Sequence, residues 1–177
     1  MNSEQSAAKR FPKVPIQRRA YAFLIDFATV WVVSSLVGIV TFQLLVFLIG
    51  WLGLRVFAVS KYKGQSLGSW AFDMKVIDAR FNKIPDLTTL SKREGITGVG
   101  AFLAMIGLNY GLPNVLSLLL LISPLVADFV VAVADEQRQQ AFHDRIVNTV
   151  VVPTKQGFSL DVRIRKTFDQ LRDRMRK

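Results

Sequence analysis

The chain contains no cysteine and a single histidine among its 177 residues. The lack of cysteine excludes disulfide bonds and thiolate metal sites, and one histidine cannot by itself build a histidine-rich metal site. We therefore expect neither a metal nor a cofactor. Acidic residues are also few, 13 against 23 Lys and Arg, which gives a net charge of +10. A basic surplus of this size suggests either nucleic acid or an anionic membrane surface as a partner.

The placement of the basic residues decides between these partners. Two short segments, about residues 38–43 and 107–113, contain no Lys or Arg at all. Nearly all Lys and Arg residues of the chain fall in 1–19, 61–93 and 138–177. Multi-pass membrane proteins follow this positive-inside pattern, with basic residues flanking the spans on the cytoplasmic side. The pattern predicts cytoplasmic termini, favours membrane lipid as a partner and argues against nucleic acid.

Two long apolar blocks, about residues 20–59 and 96–134, dominate the sequence. A helix of about 40 residues would be roughly 60 Å long, twice the roughly 30 Å of a bilayer's hydrocarbon core. The first block is also too long for the apolar region of a signal peptide, so we expect it to remain as an anchor. We therefore predict an all-α membrane protein, a four-transmembrane-helix bundle. The predicted spans are about residues 19–37, 40–59, 96–112 and 113–134, and we expect the helix of the third span to be lengthened at its polar end by residues from Thr89.

The segments outside the spans predict smaller structures. Residues 1–17 predict a disordered cytoplasmic tail. The central loop, residues 60–95, contains strand-forming residues at 75–78. A second such stretch at 148–152 could pair with it in a two-stranded sheet. We therefore expect a small cytoplasmic subdomain formed by the central loop and the segment 143–152, within a membrane domain that spans residues 18–152.

Residues 153–177 predict a basic amphipathic C-terminal helix. Its apolar residues follow spacings of four, four, three and four, which places them on one helix face. This predicted docking face consists of Leu160, Ile164, Phe168, Leu171 and Met175. Such a helix can lie on anionic lipid, dock on a partner protein, or pack on the chain's own loop, and the stripe alone does not choose among these surfaces.

Charged residues within the apolar blocks are candidates for a functional site. Asp26 and Asp128 each lie about six residues, or roughly 9 Å, inside the predicted cytoplasmic edge of their spans. Arg55 lies near the same edge of the second span, and Arg19 begins the first span. A lone charge in this layer costs on the order of 2–3 kcal/mol, so we expect a cluster in which Arg55, Arg19 or both bridge the two aspartates.

This cluster has two interpretations. Two arginines balance two aspartates, which favours a structural role in fixing the register of the helices. The alternative is a proton or cation site, because charged residues within a membrane are often functional. A cation site would more often leave carboxylates unpaired or close together.

The segment Gly64-Gln65-Ser66-Leu67-Gly68 matches the G-x-S-x-G pattern of serine hydrolases. In those enzymes the serine follows a buried strand, whereas Lys61-Tyr62-Lys63 precedes it here. His143 follows later with aspartates nearby, but five residues without their structural context are weak evidence. We therefore expect no enzyme activity and no catalytic residue.

Several motifs in their order resemble the RDD family of membrane proteins, which is named for one arginine and two aspartates. The motifs are Arg18-Arg19 with Asp26, residues 64–68, Val76-Ile77-Asp78, His143-Asp144-Arg145-Ile146 and Thr149-Val150-Val151-Val152. The resemblance implies that Arg19 opens the first membrane helix and that Asp26 is the first family aspartate. Asp128 and Asp144 are both candidates for the second, with Asp128 preferred. Two positions depart from the usual pattern: Ser69 replaces a lysine and Asn148 replaces a glycine.

The resemblance implies a membrane fold more firmly than a function, because unrelated functions share folds. Our leading hypothesis is a non-enzymatic accessory or assembly subunit of a membrane complex, with other membrane proteins or a second copy of itself as partners. The alternative is an oligomeric cation/proton transporter that uses Asp26 and Asp128, since cation/proton antiport has been proposed for some family members. The expected location is the bacterial inner membrane or another energy-transducing membrane with the same sidedness.

Overall fold

The computed structural model describes residues 11–110, 114–135 and 139–154, together with single residues at 159, 160, 162, 163, 166, 170 and 172. Its elements, in chain order, are α1 (Ile16–Ser35), α2 (Val40–Leu52), a π-helical turn (Gly53–Phe57), α3 (Ala58–Lys61), α4 (Leu67–Ala71), β1 (Met74–Asp78), α5 (Leu87–Tyr110), α6 (Val115–Ala134), α7 (Phe142–Ile146) and β2 (Thr149–Pro153).

Two helices in the described chain are long and apolar enough to cross a membrane. The first is the continuous helix Val40–Lys61, with a mean hydropathy of 2.0, and the second is α6, with a mean hydropathy of 2.4. Only 28% and 6% of their most apolar windows are buried. A core helix of a soluble protein would be mostly buried, so these exposed apolar surfaces are those of membrane helices.

Helices α1 and α5 do not meet the same criterion. α1 contains Arg18, Arg19 and Asp26, and α5 contains polar and charged residues at its beginning. Both nevertheless pack along the apolar helices, α1 against α2 and α5 against α2 and α6. The structure is therefore mostly helical with two candidate membrane spans in its described part, and four spans remain a prediction.

Helix α5 begins at Leu87, close to Thr89, from which we expect residues to lengthen the third span at its polar end. Asp86 precedes it: its carbonyl accepts from the Leu90 N–H at 3.0 Å, and its carboxylate accepts from the Thr89 hydroxyl. The Asp86 carboxylate also accepts from the Thr89 backbone N–H, one of the donors that the first turn of a helix leaves open. Arg93 and Glu94 lie in the part of α5 that precedes residue 96.

The core between α1, α2 and α5 is aromatic. Phe47 and Trp51 stack with their ring centroids 5.9 Å apart, and Phe27 meets Phe47 edge to face at 6.0 Å. Ala101 and Met105 of α5 close this cluster and are fully buried. Large rings against small residues allow close approach of the helices, which is how helices associate in lipid.

The predicted two-stranded sheet is present. β1 and β2 pair antiparallel, with Val76 opposite Val151 and Ile77 opposite Val150. The sheet, α4 and α7 lie at the end of the bundle where α1 begins, where α5 begins and where α6 ends. We call this the polar end. The short turn between α1 and α2 lies at the opposite end.

Candidate functional site

Eight ionisable side chains meet in one cluster at the polar end, and they are all largely buried. This charge network consists of Arg19, Asp26, Arg55, Arg93, Glu94, Asp128, His143 and Asp144. Six of them are among the residues that the sequence singles out, and Arg93 and Glu94 are not. An unpaired charge in an apolar layer is energetically unfavourable, so each of these side chains depends on its ion-pair partners.

Asp26 is held by the segment that resembles a hydrolase motif. Its carboxylate accepts from the Ser66 hydroxyl at 2.6 Å, the Gly68 N–H at 2.7 Å and an Arg55 guanidinium N–H at 2.8 Å. Ser66 also accepts from the Ser69 N–H as the N-cap of α4. The loop of residues 64–68 therefore binds the Asp26 carboxylate of α1, and the Ser66 hydroxyl already donates to that carboxylate.

The glycines of this loop have steric causes. A Cβ at Gly68 would lie 2.0 Å from the Ala22 carbonyl oxygen, so only glycine lets α4 approach α1 this closely. Gly64 has a φ of +84°, and a Cβ there would lie 2.6 Å from the Val76 carbonyl oxygen. The Gln65 amide donates to the Met74 carbonyl at 3.1 Å and fixes the loop to β1.

Arg55 is the centre of the half of the network that lies between the helices. Its Nη1 donates to Asp26, and its Nε donates to Glu94 at 2.9 Å. Its guanidinium also lies over the Phe23 and Trp51 rings, at 5.7 and 5.3 Å from their centroids. Arg55 lies in the π-helical turn, a distortion that often occurs at functional sites.

Asp144 is the centre of the other half. It accepts from Arg19 at 2.5 Å, from Arg93 at 2.8 Å and from the Thr149 hydroxyl at 3.0 Å. Arg93 also contacts Glu94, which joins the two halves. The network thus runs without interruption from α4 and α1 through the π-helical turn and α5 to α7 and β2.

Asp128 does not occupy its predicted place in the cluster. We expected an arginine to link it to Asp26, but among the described residues its carboxylate is bound by His143. The His143 N–H donates to Oδ1 at 3.0 Å, and Nδ1 lies 2.7 Å from Oδ2. The reason is that α7 packs between α6 and α5, so its residues intervene between Asp128 and the arginines.

His143 and Asp144 influence each other's protonation. Burial disfavours the charged imidazolium, but the attraction of Asp144 and the hydrogen bond to Asp128 outweigh it and raise the pKa of His143. Burial also disfavours the Asp144 carboxylate, but Arg93, His143 and Arg19 outweigh that and hold its pKa well below its usual range. Both groups therefore favour their charged forms.

The remaining motif residues have structural partners. Arg145 is exposed and lies 3.4 Å from Asp135. Thr149 is fully buried, and its carbonyl accepts from the Gln140 amide at 2.8 Å. Asn148 has a φ of 55°, so it occupies a left-handed position at which glycine is the usual residue and asparagine is tolerated.

The two residues missed from the sequence, Arg93 and Glu94, have a detectable signal. Leu90, Glu94, Thr97 and Ala101 are buried at spacings of four, three and four, a single helix face that continues into the apolar block. Extending the helical period backwards from residue 96 would have placed Glu94 on the inner face.

The predicted C-terminal docking face lies mostly outside the described residues: Ile164, Phe168, Leu171 and Met175 are among those that the structure does not describe. Leu160 is helical and exposed.

A cavity of about 300 Å³ lies between α1, α6 and the polar end of the bundle. Its apolar walls include Phe23, Leu125 and Phe129, and its polar lining includes Asp128 and His143. The arrangement combines a rigid set of ion pairs with one carboxylate–imidazole pair at a cavity wall. Within the described residues no group of three His, Asp or Glu side chains could hold a metal ion.

Comparisons with known proteins identify a family. Residues 13–148 match the model of the RDD family, which covers Arg19 and Asp26 as well as both candidates for the second aspartate. No curated protein and no solved structure matches the chain. The match extends over the larger part of the sequence and includes the whole charge network, and the chain belongs to the RDD family of membrane proteins.

Proposed function

We propose that the chain crosses the membrane four times, with the polar end in the cytoplasm. α1 and α5 have 20 and 24 residues, or about 30 and 36 Å, which is enough to span alongside the helices they pack against. Their charged residues belong to the internal network rather than to a lipid-facing surface. The positive-inside pattern supports the cytoplasmic position of both termini.

The lack of cysteine makes this topology easy to test. Leu36 is 82% exposed at the opposite end of the bundle, and Phe81 is 68% exposed at the polar end. Leu36→Cys on intact cells should react with a membrane-impermeant maleimide, whereas Phe81→Cys should react only after the membrane is opened. Labelling of both, or of Phe81→Cys alone, would contradict four spans with this orientation.

For its role, we propose a non-enzymatic accessory or assembly subunit of a membrane complex, located in the bacterial inner membrane. The observation that supports a fixed, structural role is that Asp26, Glu94 and Asp144 are each held by at least one arginine. Carboxylates paired in this way are poorly suited to receive a passing ion. The Ser66 hydroxyl is directed to Asp26, which supports the expectation of no hydrolase activity.

The docking element in this proposal is the segment 153–177, with its apolar stripe and basic opposite face. Removing residues 159–177 should abolish co-purification with a larger complex while leaving the four-helix part folded. Removing residues 1–10, which are also basic and terminal, provides the control and should leave co-purification intact. Retention of all partners after the C-terminal deletion would contradict the docking role.

One observation favours transport as a second candidate. Three arginines face four carboxylates in the network, and the fourth carboxylate, Asp128, is bound by a titratable His143. Proteoliposomes that contain the purified chain would then show cation-coupled proton movement that Asp128→Asn abolishes. Such flux would overturn a purely accessory role, and its absence from well-folded protein would exclude transport.

A further inference from the structure

The cavity between α1 and α6 opens towards the side of the bundle that faces lipid. Leu24, Val126 and Val130 line it and are 53–55% exposed, so its mouth lies on the apolar surface. Its walls are apolar, with Phe23, Leu125 and Phe129 among them. A molecule dissolved in the bilayer can therefore reach the cavity laterally, with its apolar body against these walls.

Asp128 is the one carboxylate among the described residues that line the cavity, beside three arginines and His143. The arginines that line it, Arg19, Arg55 and Arg93, are each bound to one or two carboxylates. Asp128, by contrast, has no arginine partner in the described part of the chain, and its side chain is 15% exposed. It is bound only by His143, whose Nε2 has no hydrogen-bond partner among the described residues and lies 3.4 Å from Asp144.

The charge balance of the network depends on His143. With His143 protonated, four cations face four carboxylates, and with His143 neutral one negative charge is left over. The groups around the imidazole are Asp128 on α6, Asp144 on α7, and Arg93 and Glu94 on α5. Because net charge is costly in an apolar environment, the site favours exchanging one cation for another over a change in total charge.

We propose that this cavity binds an organic monocation with an apolar body, taken up from the bilayer, whose ammonium group pairs with Asp128 while His143 releases its proton to water. The ammonium replaces the imidazolium as the partner of Asp128, so the network stays neutral. An anion would find each lining arginine already paired with a carboxylate, and a neutral amphiphile would gain only the apolar walls. This ligand site goes beyond the accessory role and does not require that the chain transport its ligand.

The test compares three ligands with the same ten-carbon chain: decylamine, decanol and decanoate. Full-length protein in phosphatidylcholine nanodiscs is titrated with each, and the partition into protein-free nanodiscs is subtracted. We expect decylamine to bind about tenfold more tightly than decanol, and decanoate to bind most weakly. Decylamine affinity should increase between about pH 6 and pH 8, because protons compete through His143 while the amine stays charged.

Two variants locate the site. Asp128→Asn should reduce decylamine affinity to that of decanol, whereas Asp135→Asn removes the same charge outside the cavity and should change neither. Val126→Trp fills the mouth without removing a charge and should weaken both ligands. Val126→Trp and the three-ligand comparison on the unmodified chain keep the proposal testable should Asp128→Asn fold poorly.

Several outcomes would overturn the proposal. Equal binding of decylamine and decanol, or an undiminished preference for the amine in Asp128→Asn, would remove the role of the carboxylate. Tightest binding of decanoate would show that the arginines govern the site. Unchanged binding in Val126→Trp would place the ligand elsewhere. A decylamine affinity that does not change with pH would show that His143 does not exchange its proton for the ligand.

Discussion

The two ends of the helix bundle are held together by different forces. At the polar end, eight buried ionisable side chains connect four long helical segments to the small sheet and to α7. At the opposite end, the one side-chain hydrogen bond between separate helical hairpins in the described chain is that of the Trp31 indole to Asn109, at 3.0 Å. Leu36 and Ile39 there are largely exposed.

The difference shows what can specify a fold in lipid. Lipid tails are as apolar as leucine, so apolar contact alone selects a partner helix only weakly. A buried arginine, in contrast, has few acceptable positions, since it must meet carboxylates in the right geometry. We infer that the polar end sets the register of the helices and that the other end follows.

Removing Arg55 should produce the largest effect on stability. Arg55→Met leaves Asp26 and Glu94 buried with one partner fewer each, and breaking a buried ion pair costs about 3–5 kcal/mol. Thermal unfolding in detergent measures the loss. Arg80→Met is the control: Arg80 pairs with Asp78 at the protein surface and should matter little. Equal effects of the two variants would contradict a network that sets the register.

The close approach of α4 to α1 gives the next effect. Gly68→Ala places a methyl group against the Ala22 carbonyl, and overpacking of this kind costs about 1–3 kcal/mol. Gly95→Ala is matched, because nothing lies within 4 Å of a Cβ there. Unfolding should shift down for Gly68→Ala and stay or rise for Gly95→Ala. An unchanged unfolding temperature for Gly68→Ala would contradict the close contact between α4 and the Ala22 carbonyl.

Protonation of His143 should make the polar end sensitive to pH. Its pKa is raised in the folded chain, so its contribution to stability is fully present below the unfolded value of about 6.5 and is lost as pH rises through the folded value. The unfolding temperature should therefore fall as the pH rises from about 6.5 to the folded pKa of His143, and should level off above it. His143→Gln should remove this slope, and a slope that persists in the variant would assign it to another group.

The smallest effect is expected at the opposite end. Asn109→Leu removes the hydrogen bond from Trp31 and also an amide nitrogen that has no partner among the described residues. Interhelical hydrogen bonds in membranes average about 0.6 kcal/mol, so the change should be small. Ser66→Ala removes a donor to buried Asp26 and also the N-cap acceptor of the Ser69 N–H, and should cost more. A larger loss of stability for Asn109→Leu than for Ser66→Ala would contradict the conclusion that the polar end contributes more to the register of the helices.

The sequence predicts the helical membrane class, the sheet and the coincidence of charges in one layer. Each follows from local information: the length of apolar runs, strand-forming residues, and the cost of a lone charge. The pairing of Asp26 with Arg55 is of this kind, since both lie in the first apolar block. The place of Arg93 and Glu94 in the network is harder to predict, because the expected helix includes both residues but their burial follows only when its buried period is continued through them.

Other features depend on tertiary packing that the sequence pattern does not display. The choice of His143 over an arginine as the partner of Asp128 follows from the position of α7. Arg19 pairs with Asp144 and not with Asp128, so the first-helix arginine is joined to α7 and not to α6. The G-x-S-x-G segment binds the Asp26 carboxylate of α1. This role depends on a distant residue, so the five-residue pattern alone could not indicate it.

The spacing of the ion pairs along the chain has a consequence for biosynthesis. Asp26 and Arg55 are separated by 29 residues and belong to one hairpin, whereas Arg19 and Asp144 are separated by 125 residues. Since chains emerge from the ribosome N-terminus first, the first hairpin can enter the membrane with this pair already formed. Arg19 gains its partner only after nearly the whole family domain has been translated, so the ion pairs of the first helix are completed by a residue made long after it.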